Sequence, residues 1–350
     1  MRITLADREI GDGAPSFVIA EIGSNHDGQL ERALALVDVA ADAGADAVKF
    51  QSFRAAGLLA RRWPDADGGW KTAEAYPVLE RLEVPAEWHA PLRDHARERG
   101  VMFLSTPFDE SRAALLAALG VPAFKVASGD LTHHPLLRTL SAYGRPLLLS
   151  TGLATSDEIA AALDAVAEGA GTPERVPPVV LLHCVSLYPL RPGDANLRAL
   201  EPLRGRFGCL VGWSDHSPGH TLALGAVALG ACVVEKHITD DRSRRGPDHG
   251  YAMEPGEFRA MVDAIRELET GLGDGTKRPR PDEEPERRWA RRSVYAARSL
   301  PAGSLLEPTD LKVVRPGIGL EPDAVLHLIG RTLRRPLAVD EPVREEDALP

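Results

Sequence analysis

LVGWSDHS (Leu210–Ser217), then a helix-like stretch, then CVVEKH (Cys232–His237): in both segments a continuous apolar run ends in polar side chains able to do chemistry. The same pattern occurs earlier as FVIAEIG (Phe17–Gly23), AVKFQSF (Ala47–Phe53), VMFLSTP (Val101–Pro107), AFKVASGD (Ala123–Asp130), PLLLSTG (Pro146–Gly152) and VVLLHCVS (Val179–Ser186). A continuous apolar run reads as a parallel strand buried on both faces. Strands alternating with helices imply right-handed βα units and an α/β fold with a parallel sheet. A doubly wound open sheet is the alternative. No Gly-rich nucleotide fingerprint follows the first run, and the polar residues are spread over all eight run ends. Both points favour a closed (β/α)8 TIM barrel, whose strand C-termini surround the active site.

The intervening helices are legible. Apolar positions at helical spacing run over Leu30–Ala43 up to Gly44, Pro85–Arg99 up to Gly100, and Asp109–Leu119 up to Gly120. Glycine just past a helix supplies the left-handed stop. Ser156, with Glu158 in the first turn, opens the helix after the fifth run; Gly219–Leu229 and Pro255–Thr270 complete the set. ITLADREIG reads as a hairpin closing the bottom of the barrel. The loop over Arg54–Leu82 is long and carries Trp63, Trp70 and Tyr76, as a lid would. A catalytic barrel is expected over residues 1–272. Residues 273–290, rich in Pro, Gly and charge, read as a linker, and residues 291–350 as a small domain of short strands.

Net charge is −10, which argues against a general nucleic-acid binder. No apolar run approaches the roughly 20 residues of a membrane span, and no signal-peptide pattern opens the chain, so a cytoplasmic location is expected. Cys184, Cys209 and Cys232 show no pairing spacing and read as reduced core residues.

Strand parity sorts the run ends. Lys49 and Gln51 share a face, as do Ser214 and His216; Glu235 and His237 share one, with Lys236 opposite. If His216 and His237 face the barrel mouth, they stand on adjacent strands roughly 5 Å apart, where two imidazoles can bind one divalent metal and leave positions open. Lys49, Thr106, Lys125, Ser128, Ser150 and Ser214 suit a phosphate or carboxylate dianion. Glu21, Asp130, Glu235 and Asp248 supply acids and bases. The plainer alternatives are hydroxyls that cap helices and a structural ion pair between Glu235 and Lys125 or Lys49.

The motifs AEIGSNHDG, DAVKFQ, STPFD, FKVASGD, LSTG, GWSDHS, EKHIT and GPDH occur in this order from Ala20 to His249, followed by RRSVYAAR and VVRPGIG. Together they resemble the sialic acid synthase family, which joins phosphoenolpyruvate to an N-acylated amino sugar such as N-acetylmannosamine. The resemblance implies a TIM barrel followed by an antifreeze-like (SAF) domain. It implies Mn²⁺ or Mg²⁺ on His216 and His237, and phosphoenolpyruvate on Lys49, Thr106, Lys125, Ser128, Ser150 and Ser214. It assigns proton transfer and water positioning to Glu21, Asp130 and Glu235, and sugar contact to Gln51, Tyr188, Asp248 and Arg315. It further implies a domain-swapped homodimer in which the small domain covers the partner's barrel mouth.

Two positions depart from the family pattern. Asp130 stands where the family often has Glu. HCVSLYP carries Val185–Ser186 where members specific for N-acetylmannosamine often have Thr-Asn or Thr-Ser; with Ser186 expected to line the sugar site, a 2,4-diacylamino-6-deoxy sugar or another modified hexose is an alternative acceptor. Three rival activities remain at this level. They are a Schiff-base aldolase using Lys125 or Lys236, a phosphoenolpyruvate condensation on a phosphorylated sugar, and a non-enzymatic carbohydrate-binding protein.

Overall fold

The computed structural model describes residues 1–348; Leu349 and Pro350, the end of the expected small domain, lie outside the described residues. The chain divides into two compact units, Met1–Gly273 and the remainder from Asp274.

In the first unit, strands β1 (Arg2–Leu5) and β2 (Arg8–Gly11) form the N-terminal hairpin. Eight parallel strands follow: β3 (Phe17–Gly23), β4 (Ala47–Ser52), β7 (Met102–Pro107), β8 (Phe124–Val126), β9 (Leu147–Ser150), β10 (Val179–Cys184), β11 (Leu210–Asp215) and β12 (Val233–His237). Each of the eight apolar runs is therefore a strand. Their order is β7-β4-β3-β12-β11-β10-β9-β8. The end strands β7 and β8 lie side by side without a ladder between them, so the barrel is nearly closed rather than fully hydrogen-bonded around its circumference.

Two apolar layers follow from strand alternation. Outward residues such as Val18, Val48, Val211 and Val234 pack against the helices in one large core. Inward residues Phe17, Ile19, Leu104, Leu148, Leu182 and Val233 fill the lower barrel with Ile3, Leu5 and Ile10 of the hairpin. The hairpin thus plugs the bottom, and the open end is the one bearing the polar run ends.

The helices fall close to their expected places, with shifts at the ends. The helix after the fifth run opens at Ser156, as expected, and runs to Ala170; Thr155 before it is the cap, its hydroxyl and Glu158 forming a reciprocal capping box. The stretch expected as one helix from Pro85 starts as a 3-10 turn, Ala86–Trp88, and becomes α-helical over His89–Glu98. The Arg54–Leu82 loop has structure of its own: short helices Ala55–Leu58 and Tyr76–Leu82 flank a hairpin of β5 (Arg62–Pro64) and β6 (Trp70–Thr72). Ala55, Ala73 and Tyr76 give it a small separate core.

In the second unit, a 3-10 turn and a helix run from Pro281 to Ala290, within the stretch read as linker. Strands β13 (Ser293–Ala296) and β14 (Leu311–Val314) pair antiparallel, and isolated bridges such as Leu300 to Leu337 complete an irregular β-rich domain. Its core includes Val294, Leu306, Leu328, Leu333 and Val343.

Candidate active site

Strand register carries the chemistry. Glu21 on β3 stands opposite Lys49 on β4 and, on its other side, opposite His237 on β12; Ser214 on β11 stands opposite Glu235. Gln51 is opposite Thr106. These side chains, with Lys125, Ser128, Ser150, Tyr188 and His216, line a cleft of about 70 Å³ at the barrel mouth. Phe108, Ala127 and Cys184 complete its wall.

The floor is an ion network. Lys49 Nζ lies 2.6 Å from Glu21 Oε2 and 3.8 Å from Glu235 Oε2, and donates to Thr106 Oγ1 at 3.3 Å. Lys125 Nζ donates to Ser150 Oγ at 2.7 Å and lies 3.5 Å from Glu235 Oε1. Ser214 Oγ donates to Glu235 Oε1 at 3.0 Å, and Gln51 Nε2 to Glu21 Oε1 at 2.7 Å. The glutamates and lysines are all buried.

Burial works against the charge on Lys49, but Glu21 and Glu235 outweigh it and hold its ammonium above the ordinary lysine range. Burial pulls Lys125 the other way, with Glu235 offsetting only part. Burial alone would raise Glu235; Lys125 and Lys49 overcome it and keep the carboxylate ionised. Two lysines thus balance two carboxylates, and the hydroxyls leave polar surface facing the opening.

Above this floor stand His216 and His237, ring centres 5.5 Å apart. His216 Nδ1 pairs with the Val185 carbonyl at 3.2 Å; donating there leaves Nε2 with its lone pair. Burial, reinforced by His237, pulls His216 down to about 3, so its imidazole is neutral at neutral pH. His237 Nδ1 is buried with no hydrogen-bond partner and lies 4.0 Å from Asp248 Oδ2. Imidazole nitrogens without a hydrogen-bond partner are the donors a divalent cation takes. Among the described residues no group of three or more His, Cys, Asp or Glu side chains has a ligating arrangement, so the pair stands without a third protein ligand.

The other expected residues lie around this centre. Asp248 is held by the Ser24 backbone N–H at 3.0 Å and the Tyr251 hydroxyl at 2.7 Å. Ser128 Oγ accepts from the Gly152 N–H at 3.1 Å, and a side chain at Gly152 would meet the hydroxyls of both Ser128 and Ser186. The Tyr188 ring packs against that of His216 at a tilt of 45°, ring centres 4.2 Å apart. Asp130 is half-buried in the 3-10 turn Ser128–Asp130, where burial raises its carboxyl. Asp130, Ser186 and Asp248 do not themselves line the cleft. Arg315 belongs to the second unit, where it is exposed.

Three findings go beyond the sequence reading or correct it. Cys184, expected in the core, lines the cleft 3.9 Å from His216 Nδ1; all three cysteines are free. Tyr251 was missed: its ring packs 4.9 Å from that of His237 while its hydroxyl holds Asp248, and only its place in the loop after the last strand hinted at it. Lys236 lies outside the cleft, paired in the barrel wall with Asp215 at 2.7 Å, which removes it as a Schiff-base nucleophile.

A nearly closed parallel barrel that gathers lysines, carboxylates, hydroxyls and a histidine pair at its C-terminal mouth defines a barrel enzyme acting on an anionic substrate. The chain belongs to the NeuB family, whose model matches residues 36–277; a SAF domain model matches residues 291–349. It is 39% identical over 327 residues to the N,N'-diacetyllegionaminic acid synthase of Legionella pneumophila, covering 92% of each chain. It is 34% identical over 347 residues to the N-acetylneuraminate-9-phosphate synthase of Mus musculus, covering 97% of this chain and 94% of that one. Among solved structures it is similar to the N-acetylneuraminic acid synthetase of Leptospira borgpetersenii in complex with citrate, with 35% identity and a TM-score of 0.73 over 82% of this chain and 95% of that one. These relatives are sialic acid synthase-type enzymes, which sets aside the non-enzymatic carbohydrate-binding reading. No helix among the described residues is long and apolar enough to cross a membrane.

Proposed function

We propose that this enzyme condenses phosphoenolpyruvate with the open-chain aldehyde of an N-acylated amino sugar, N-acetylmannosamine or a modified analogue, giving a nonulosonic acid and phosphate. The observation that carries this reading is the Glu21–Lys49–Glu235–Lys125 network beneath an open histidine pair. Lys49 and Lys125, with Thr106, Ser128, Ser150 and Ser214, bind the phosphate and carboxylate of phosphoenolpyruvate. Gln51, Ser186, Tyr188 and Asp248 face the sugar, and Ser186 bears on which acceptor is used.

C3 of phosphoenolpyruvate forms the new bond to the aldehyde carbon, and the carbonyl electron pair moves to the aldehyde oxygen, which becomes a hydroxyl with the proton the attacking water gives up. Positive charge develops at C2. Glu21 and Glu235, fixed by Gln51 and Ser214, stabilise that charge and orient the water that adds there. Glu21, Asp130 and Glu235 are the candidates to take the water's proton. The tetrahedral C2 then breaks its bond to the phosphate oxygen, phosphate leaves, and the keto acid remains. A divalent cation, Mn²⁺ or Mg²⁺, on His216 and His237 would supply Lewis acidity toward the aldehyde oxygen and positive charge that the balanced ring lacks.

The reading extends to a cytoplasmic, domain-swapped homodimer in which Arg315 reaches the partner's sugar site. Arg315 is exposed and makes no ion pair among the described residues, so it is free to meet a ligand.

The test is phosphate release across a panel of free and phosphorylated amino sugars, with ¹⁸O in the bridging oxygen of phosphoenolpyruvate. The label should appear in phosphate. Its retention in the keto acid would refute C–O cleavage. Irreversible inactivation by borohydride with a keto acid, lost in Lys125→Met, would instead establish a Schiff base on Lys125.

A further inference from the structure

The wall between β11 and β12 contains an ion pair that the proposed chemistry does not use. Asp215 and Lys236 are directly opposite in register and each about 1% exposed. Lys236 Nζ donates to Asp215 Oδ2 at 2.7 Å and also to the Ser217 carbonyl. Asp215 Oδ1 accepts from both the backbone N–H of Ser217 at 2.8 Å and its hydroxyl at 2.7 Å. Around them the outward wall positions are apolar: Val211, Trp213, Val234 and Ile238. A buried ion pair at such a place gives little stability over an apolar pair of the same volume, because desolvation consumes the attraction.

Its position suggests another use. Asp215 and Ser217 flank His216, and Lys236 immediately precedes His237. The four hydrogen bonds close the turn around His216 and tie it to the end of the neighbouring strand. On the far side, the His216 carbonyl accepts from the Leu190 N–H at 2.9 Å and its Nδ1 meets Val185. His216 is therefore held from both sides, while the link to His237 runs through Lys236.

We propose that Lys236, Asp215 and Ser217 form a clasp that fixes the separation of His216 and His237, and so act as positioning residues for a divalent cation. This rests on the reading of that pair as a metal site. Outer groups that orient ligating histidines are worth about 10–100-fold in metal affinity when lost.

The experiment measures Mn²⁺ binding to the full chain by electron paramagnetic resonance, alongside phosphoenolpyruvate binding and thermal unfolding. Lys236→Met should weaken Mn²⁺ roughly ten-fold or more, with metal-free phosphoenolpyruvate affinity within about two-fold, since the lysines of the cleft floor are untouched. Because the single variant strands Asp215, Lys236→Met with Asp215→Leu restores an apolar wall. The double variant should recover the unfolding temperature yet still bind Mn²⁺ about ten-fold more weakly. Wild-type Mn²⁺ affinity in the double variant would overturn the clasp and leave the histidine pair standing. Absence of Mn²⁺ binding in the wild type, or its survival in His216→Ala and His237→Ala, would overturn both.

Discussion

His26 gives a stability test that can be worked out in numbers. It is 1% exposed, its ring lies near those of Phe50 and Trp88, and its Nδ1 accepts the Gly28 backbone N–H at 3.1 Å. That bond requires an unprotonated Nδ1. Burial pulls the imidazole down to about 4, with Asp27 and Asp248 resisting. In the unfolded chain a histidine titrates at about 6.5. Between those values the unfolded state binds more protons than the folded one, so stability rises with pH. The contribution is complete above about pH 6.5 and is lost as pH falls toward 4. At about pH 4.5 the loss from this residue is about 2.5 kcal/mol, and at about pH 5.5 about 1.4 kcal/mol. Urea unfolding of the wild type and of His26→Asn, whose amide oxygen can still accept from Gly28, isolates the effect. The wild-type advantage at about pH 7.5 should shrink by about 2–3 kcal/mol at about pH 4.5. Parallel stability curves for the two proteins would refute the reasoning.

Three further outcomes are expected. His216→Ala and His237→Ala should each lower phosphate release by at least about 100-fold while circular dichroism stays native, because these side chains lie at the mouth and not in the apolar layers. Gly152→Ala would set a methyl 2.6 Å from Ser186 Oγ and 2.7 Å from Ser128 Oγ, and should reduce kcat/KM for the acceptor about ten-fold by displacing both hydroxyls, with little change in unfolding temperature. Gly212→Ala meets Leu182 Cδ2 at 2.5 Å and the Val233 carbonyl at 2.7 Å inside the barrel, so denaturant unfolding should show a loss of about 1–3 kcal/mol.

The parallel α/β sheet was legible in the sequence because each apolar run needs cover on both faces, and the spread of polar residues over all eight run ends favoured a closed barrel over an open sheet. The inward-turning side chains were legible too: parity placed Lys49, Gln51, Ser214, Glu235 and His237 on the mouth side and Lys236 on the other, as the structure has them. Which side chains meet is settled only in the assembled barrel. The pairing of Lys236 with Asp215, the closeness of Glu21 to both Lys49 and His237, and the entry of Cys184 into the cleft wall depend on register between strands distant in sequence. The positions of Tyr251 and Asp130 depend on loops whose course is set by packing, and no local pattern of residues encodes it. Alternation fixes the face on which a side chain stands; the distance between two faces is a property of the folded barrel.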